Sequence, residues 1–330
     1  QNGFIGIPTT LVSWEKDIQS AVVEIGIDEK GAMEEHLNVV HPTHGILTAL
    51  GPEHLEQLVD METVFQEEIK LFSYLHQAGG KAFLNLDDPI LKEKISDPEK
   101  FITFSLQDSG ADFFGKIVGK YLEISVSTCH QSPVTSHQLR LPLPLPGIHN
   151  ARNLLGAAAI AIDLGLNQEE MVKGLDNFQT PRNRMEIKET RDGIKLVMDY
   201  YNANPTSMEG AFQVLEDEFK DNPKILVLGD MLELGEETEN YHRRLSASIE
   251  KLKPRTLYLF GPQMKCLEDE LGERKELFVV EHFQDKEKLA KALWLAAKPG
   301  DVVLLKGSRG MKLEEILRYL PDHWGCSRTL

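Results

Sequence analysis

The sequence predicts an α/β protein with two domains. The first has a mostly parallel sheet with an antiparallel portion, and the second has a doubly wound, Rossmann-like sheet. The 330 residues suffice for about two domains. In both halves, apolar strand-like runs alternate with helix-like segments, which is typical of parallel sheets covered by helices. We place the domain boundary so that the two domains cover residues 1–186 and 187–330.

The first half begins this alternation. Apolar runs predict strands at Ala21–Ile25, Gly45–Leu50 and Lys81–Leu86, and spaced apolar positions predict a helix over residues 60–77. From about Asp112 the runs become short and closely spaced, as in antiparallel strands, and they cover Ile117–Val118, Tyr121–Val126 and Leu139–Leu145. The last of these is kept at a sheet edge by three prolines, Pro142, Pro144 and Pro146.

An Ala-rich helix leads into the second half. We predict it over residues 151–164, opened by Gly147–Asn150 and ended by Gly165. Five apolar runs separated by helical segments then predict the strands Ile194–Met198, Lys224–Leu228, Thr256–Phe260, Leu277–Val280 and Asp301–Leu305.

Composition narrows the partners and the compartment. The formal net charge of −16 argues against nucleic acid or an anionic membrane as a partner, and no apolar run is long enough for membrane insertion. Three widely spaced cysteines favour a reducing, cytoplasmic compartment, and we expect a monomer. The start has neither an initiator Met nor a signal-peptide pattern, which predicts that the chain begins inside a longer protein.

A carboxylate and an imidazole follow the first two predicted strands. Glu24 lies at the end of Ala21–Ile25, and His54 follows Gly45–Leu50. Ligands of open α/β sheets gather beyond the carboxyl ends of the strands, so these side chains could share a hard divalent cation. The alternative is that they never meet, because unrelated Glu/His pairs are common.

Two asparagine-rich turns precede predicted helices. Asn150 is placed to cap the Ala-rich helix, and with its neighbours it offers hydrogen-bonding edges to a nucleotide base. The stretch Asp199–Met208 ends a strand and starts a helix, with Asn204 as the predicted N-cap and Pro205 at the first helical position. Because turns favour these residues in any case, each pattern also fits an ordinary connection.

The loop Lys306–Met311 predicts an anion site. Two cations, a hydroxyl and two glycines lie there between a predicted strand and a predicted helix, where backbone N–H groups can approach a ligand. The alternative is a basic surface loop.

Taken together, and in this order, these segments resemble the Mur ligases, the ATP-dependent ligases of bacterial cell-wall synthesis. The resemblance runs over nearly the whole chain. Asp199–Met208, Leu228–Gly235 with His242, and Lys306–Met311 are similar to three signatures of the branch that adds D-alanyl-D-alanine. The resemblance implies the family's central ATP-binding domain followed by its Rossmann-like C-terminal domain. It also implies amide-bond formation from ATP through an acyl phosphate, with Mg²⁺, UDP-N-acetylmuramoyl-tripeptide and D-alanyl-D-alanine.

The resemblance also implies roles for individual residues. Glu24 and His54 become magnesium ligands, Arg184 matches an arginine that contacts nucleotide phosphates, and Asp199 would hold the ribose. The residues expected near the adenine are His149, Asn150 and Asn153. Those expected to face the peptide and the dipeptide are Asn202, Asn204, Lys306, Ser308 and Arg309.

Two features depart from the family pattern. The chain contains no Gly-x-Gly-Lys-Thr/Ser phosphate loop, so we expect the 330 residues alone to lack ligase activity. Glu68 occupies the position of a carbamylated lysine that helps to bind magnesium, and its carboxylate could replace that charge. Alternatively, Lys70 takes this role, or Glu68 is a solvated surface charge. Two hypotheses remain, a D-alanyl-D-alanine-adding ligase and a non-catalytic relative that acts as a binding or scaffold module.

Overall fold

The computed structural model describes residues 2–15, 17–127, 138–272, 277–321 and Trp324. Two compact units make up the chain, Gln1–Phe178 and Gln179–Leu330. The boundary between them falls earlier than the one expected after residue 186, because residue 186 already starts the first strand of the second unit's sheet. None of the described helices has the length and apolar character of a membrane span. Cys266 is a free thiol, whereas Cys129 and Cys326 lie outside the described residues.

The first unit is built on a six-stranded sheet in simple sequence order, β1 to β6. The strands are β1 His44–Leu47, β2 Lys81–Asn85, β3 Ile102–Ser105, β4 Phe113–Val118, β5 Tyr121–Val126 and β6 Gln138–Pro142. The first four run parallel to one another, and β5 and β6 continue the sheet antiparallel. The predicted antiparallel portion and its proline-bearing edge strand are therefore confirmed.

Eight helices accompany this sheet among the described residues. They are α1 Gly6–Ser13, α2 Ala32–Val40, α3 Leu55–Leu58, α4 Met61–Glu68, α5 Lys70–Ala78, α6 Pro89–Lys94, α7 Ile148–Asp163 and α8 Gln168–Asp176. The Ala-rich α7 packs its small residues on the sheet, and a Cβ on Gly156 would lie 2.5 Å from Ile46 Cδ1. Phe83, Phe104 and Phe113 fill the core beneath this helix.

Two predictions for the first unit are wrong. Ala21–Ile25 forms no strand, and the backbone nearby is held by a bond from Gly26 N to Asn2 O, 2.9 Å long. The helix predicted over residues 60–77 is divided at Ile69 into α4 and α5. The contact with Asn2 joins segments that are distant in the sequence, and apolar periodicity does not report such contacts.

The second unit has a six-stranded sheet in the order β11-β10-β9-β12-β8-β7. Its elements are β7 Glu186–Glu189, β8 Lys195–Asp199, α9 Pro205–Glu218, β9 Lys224–Gly229, α10 Thr238–Leu252, β10 Thr256–Phe260, α11 Met264–Leu271, β11 Val279–Phe283, α12 Lys286–Ala296 and β12 Val302–Lys306. Among the described strands of this sheet, only the β7–β8 pair is antiparallel. Hydrophobic clusters cover both faces, so the predicted doubly wound sheet is confirmed.

The last strand of the chain lies inside this sheet and not at its edge. β12 is inserted between β8 and β9, with Lys306 in register with Asp199 on one side and Leu228 on the other. The carboxyl ends of β8, β12 and β9 are therefore neighbours at one edge of the sheet. The chain runs outward through β9, β10 and β11 and then returns to place β12 beside β8, so the strand order changes direction there. Open α/β sheets form ligand crevices at such points.

Candidate functional site

The three predicted magnesium ligands occupy different settings in the first unit. Glu24 is exposed on a segment without regular structure, and its Oε1 accepts a hydrogen bond from Asn2 Nδ2 at 3.0 Å. His54 is half-buried at the end of the loop after β1, with a left-handed backbone (φ 53°) directly before α3. Because Glu24 follows no strand, the argument that both side chains project from one sheet edge is wrong.

Glu68, the third predicted ligand, is the last residue of α4. Burial raises its pKa to about 7, and the carboxylates of Glu53 and Glu67 add to the shift. Lys70, the alternative to Glu68, donates from Nζ to Glu67 Oε1 at 2.7 Å. The other oxygen of the buried Glu67 has no hydrogen-bond partner among the described residues.

Carboxylate and imidazole donors suit a hard cation such as Mg²⁺. The part of the chain that the structure describes, however, holds no group of three His, Cys, Asp or Glu side chains arranged to bind a metal ion. Glu24, His54 and Glu68 are not brought together into such a group. A magnesium role for any of them stays a prediction.

The residues expected near the adenine lie in the first turns of α7. The N-cap is Gly147 (φ 99°), so the prediction that Asn150 caps this helix is wrong. Asn150 lies inside the first turn and donates from Nδ2 to Pro146 O at 2.6 Å. His149 is half-buried and Asn153 is exposed one turn further on. Hydrogen-bonding side chains are thus presented at the amino end of the helix.

In the second unit, Asp199 and Lys306 form a buried ion pair at the carboxyl edge of the sheet. Lys306 Nζ lies 2.6 Å from Asp199 Oδ2 and 3.2 Å from Asn202 O, and the lysine side chain is only 1% exposed. Burial lowers the pKa of Lys306, while the ion pair with Asp199 opposes that shift. Lys306 is therefore satisfied by its own chain and does not present a free ammonium group to a ligand.

Ser308 and Asn204 also form hydrogen bonds with other parts of the chain. Ser308 Oγ donates to Ala203 O at 3.1 Å and accepts from Leu232 N at 2.9 Å. Asn204 caps α9 as predicted, since its Oδ1 accepts from Ser207 N at 2.7 Å and Pro205 starts the helix. The two bonds of Ser308 join the loops after β8, β9 and β12.

Two predicted substrate-facing residues remain exposed. Asn202 is exposed, although its Oδ1 accepts from Ala203 N at 2.8 Å. Arg309 is 59% exposed and lies 3.2 Å from Glu314 Oε1. The loop leads into two 3₁₀ helices, Arg309–Met311 and Leu313–Tyr319, where the sequence predicted a single helix.

Arg184 is held in position by an aromatic ring and a strained backbone. Its guanidinium carbon lies 4.3 Å from the centre of the exposed Tyr201 ring. The residues on either side, Asn183 (φ 63°) and Met185 (φ 50°), both have left-handed backbone conformations. Met185 N donates to Asp199 Oδ1 at 3.2 Å and Tyr201 N donates to Asn183 O at 3.1 Å. An exposed cation is thus fixed next to the predicted ribose-binding carboxylate.

The sequence assigns Asp230 and His242 no role beyond their place in the signature formed by Leu228–Gly235 with His242. The Asp230 carboxylate accepts from Gln263 N and Met264 N, at 3.2 and 2.9 Å, and so caps α11. Burial raises the pKa of Asp230 and lowers that of His242. His242 Nδ1 lies 2.7 Å from a carbonyl oxygen, that of Thr238, so Nδ1 carries the proton and Nε2 accepts from Met231 N at 3.0 Å.

Comparison with known proteins agrees with this architecture. The family model of the Mur ligase middle domain matches residues 1–161, and that of the Mur ligase glutamate ligase domain matches residues 183–309. The chain belongs to the Mur ligase family. The resemblance seen in the sequence and the predicted fold class are therefore confirmed.

Among curated relatives, the chain is similar to two UDP-N-acetylmuramoyl-tripeptide–D-alanyl-D-alanine ligases. The Escherichia coli protein is 30% identical over 329 residues, covering 98% of this chain and 70% of the relative. The Bacillus subtilis protein is 29% identical over 325 residues, covering 97% of this chain and 68% of the relative.

Solved structures show the same fold. MurF from Acinetobacter baumannii superimposes with a TM-score of 0.80 at 24% identity, covering 97% of this chain and 68% of that one. MurF ligase from Thermotoga maritima, in complex with ADP, gives a TM-score of 0.78 at 20% identity, covering 97% and 71%.

Proposed function

We propose that this chain acts in ATP-dependent amide-bond formation, joining D-alanyl-D-alanine to UDP-N-acetylmuramoyl-tripeptide. ATP would phosphorylate the peptide carboxylate, and the dipeptide amine would then attack the acyl phosphate. The observation that carries the proposal is the match of nearly the whole chain to ligases named for this reaction, at 29 and 30% identity. Mg²⁺ would neutralise charge on the transferred phosphoryl group.

The geometry divides the predicted site residues into two kinds. Arg184, Asn202 and Arg309 are exposed and are proposed to contact ligands directly, with Arg184 at the nucleotide phosphates. The residues proposed to support the dipeptide site through hydrogen bonds to its loops, without touching the ligand, are Asn204, Lys306 and Ser308.

The remaining residues are assigned to the nucleotide. Asp199 is assigned to the ribose through those oxygen lone pairs that Lys306 and Met185 do not occupy. Asn150 and Asn153, with His149, are assigned to the adenine.

Binding is the property to test on the chain itself. By calorimetry we expect D-alanyl-D-alanine to bind and L-alanyl-L-alanine, a control of identical composition and charge, not to bind. Arg309→Ala should weaken dipeptide binding by about tenfold or more, since hydrogen bonds to a charged group contribute roughly 1.5–3 kcal/mol. Equal binding of the two stereoisomers would contradict the assigned dipeptide site.

Turnover is a separate measurement. With ATP, Mg²⁺ and both substrates, we expect the 330-residue chain to bind without forming UDP-muramoyl-pentapeptide detectable by mass spectrometry, because its sequence holds no phosphate-loop motif. Product formation would show that phosphoryl transfer proceeds without that motif.

A non-catalytic binding module is the second candidate. It is favoured by the lack, among the described side chains, of an assembled three-ligand metal group. The two candidates differ in nucleotide binding: a ligase should bind ADP and the dipeptide, whereas a scaffold that has lost the chemistry need bind neither.

A further inference from the structure

The segment Asn85–Asp88, at the end of β2, carries three buried polar side chains to which the proposed reaction gives no role. Asn85 is fully buried, Asp88 is 3% exposed, and the Asp87 side chain is fully buried in its contact with Arg152. Burying carboxylates is unfavourable unless hydrogen bonds and opposite charges compensate. The partners of these side chains therefore indicate what the segment does.

Asp88 and Asn85 hold the loop that leads to His54. Asp88 Oδ2 accepts from Leu50 N at 2.9 Å, while its Oδ1 caps α6 by accepting from Ile90 N and Leu91 N. Asn85 Nδ2 donates to Thr48 O at 2.6 Å. The backbone of this loop is thus fixed at two points shortly before His54, by the last residue of the neighbouring strand and by the residue that caps α6.

Asp87 reaches in another direction, to α7. Its Oδ2 accepts from Arg152 Nε at 3.1 Å and from Leu106 N at 2.8 Å, and its Oδ1 bonds to Ser105 Oγ. Arg152 lies in α7 between Asn150 and Asn153. One carboxylate thereby ties the loop after β3 to the helix turn that presents the predicted adenine-binding residues.

We propose that Asp88 and Asp87 are positioning residues for two separate parts of the site. Asp88 sets the loop that carries His54, and Asp87, through Arg152, sets the first turns of α7 with His149. This proposal rests on the proposed function for its purpose, but its geometry can be tested without any ligand. If the two carboxylates were only general stabilising contacts, removing either one would disturb both regions alike.

The test uses His54 and His149 as one reporter in each region. Imidazole ¹H–¹³C signals of the 330-residue chain are assigned with His54→Gln and His149→Gln. We expect Asp88→Asn to move the His54 signal and leave that of His149 in place, and Asp87→Asn to do the reverse. Asp97→Asn, at a carboxylate paired with Lys100 on the surface, serves as the control and should move neither.

Two further variants guard against loss of folding. Asp88→Ser keeps an N-cap acceptor for α6 but is too short to reach Leu50 N as well. Arg152→Gln removes the link to α7 while leaving both carboxylates in place. Each should reproduce the shift of the corresponding Asp→Asn variant. If either pair of variants moves both signals or neither, the proposal is overturned.

A titration with Mg–ADP separates this proposal from the proposed function. We expect ADP to shift the His149 signal, and Asp87→Asn to weaken ADP binding by about tenfold while Asp88→Asn changes it by less than about twofold. If ADP moves neither reporter in the unaltered chain, the assigned nucleotide site is wrong, and the ligand-free spectra still decide whether the two carboxylates position their regions separately.

Discussion

The carboxyl edges of the two sheets are organised differently. In the second unit, the predicted residues Asp199 and Lys306 pair directly with each other, and the hydrogen bonds of Ser308 join three loops. In the first unit, the predicted metal ligands are not assembled, and the loops are joined instead by Asp87 and Asp88, which the sequence did not single out. The difference follows from strand placement, since β8, β12 and β9 are adjacent whereas Glu24 follows no strand.

The largest expected effect is on stability, and it shows whether the second unit needs the ion pair of Lys306 and Asp199 in order to fold. Lys306→Met leaves the partly buried Asp199 carboxylate without its counter-charge, and we expect the free energy of unfolding to fall by about 3–5 kcal/mol. Urea denaturation followed by far-ultraviolet circular dichroism measures it. Lys251→Met, which breaks the exposed ion pair with Glu216, is the matched control and should change stability little.

A double variant tests whether the loss of stability comes from the unpaired carboxylate. Lys306→Met combined with Asp199→Leu replaces the pair with apolar side chains, and we expect it to recover much of the lost stability. A double variant no more stable than Lys306→Met alone would mean that the lysine acts through Asn202 O and not through the carboxylate.

The next effect concerns ligand binding by the second unit. We expect Arg184→Ala to weaken ADP binding by about tenfold, because it removes a charge-assisted contact with phosphate. Tyr201→Leu removes the ring beneath the guanidinium and should have a smaller effect of the same sign. Arg182→Ala, an exposed arginine two residues away, is the control in calorimetry. An equal loss in both arginine variants would indicate general electrostatic attraction instead of a fixed contact.

A smaller effect is expected in the first unit at Val59, a residue with a strained backbone that lies between His54 and Glu68 in the sequence. Val59 is 76% exposed with φ 71° and ψ −54°, and Asp60 N donates to Leu58 O across it at 2.8 Å, which makes a γ-turn unfavourable for a β-branched residue. Val59→Gly should raise the free energy of unfolding by about 1 kcal/mol.

The control for that change is the same substitution in a helix. Val39→Gly, at an exposed position in α2, should lower stability by about 0.3 kcal/mol because glycine is less favourable in a helix than valine. Thermal unfolding of both variants checks the opposite signs. Destabilisation by Val59→Gly would show that the valine side chain contributes packing that outweighs the backbone strain.

The smallest expected effect is a pH dependence in the second unit. Burial lowers the pKa of His242, so the folded state binds fewer protons there than the unfolded state, and its stability declines as pH falls below about 6.5. His242→Asn should cost about 1 kcal/mol at pH 8, through a weakened bond to Met231 N, and should reduce the decline at acid pH. Unfolding curves at pH 8 and pH 5.5 measure both. An unchanged slope would assign the acid sensitivity to other groups.

The sequence was most informative where local signals are strong. Thr256–Phe260 was predicted with its observed bounds, and Asn204 with Pro205 was identified as a helix start because both residues have strong positional preferences. The cap predicted at Asn150 is wrong because this residue lies inside the first turn of α7, where Gly147 already provides the backbone geometry of the cap. Ala21–Ile25 has the apolar composition of a strand but gains no ladder partner among the described residues.

Four properties could be predicted without the structure: the α/β class, the antiparallel portion of the first sheet, the doubly wound second sheet and the membership of the Mur ligase family. These follow from apolar periodicity, turn residues and ordered signatures, all of which are local along the chain. The tertiary structure was needed to show that Lys306 pairs with Asp199 and that Asp87 reaches Arg152. Such pairings join residues 107 and 65 positions apart. They depend on which strands become neighbours, and that is set by the packing of the whole unit.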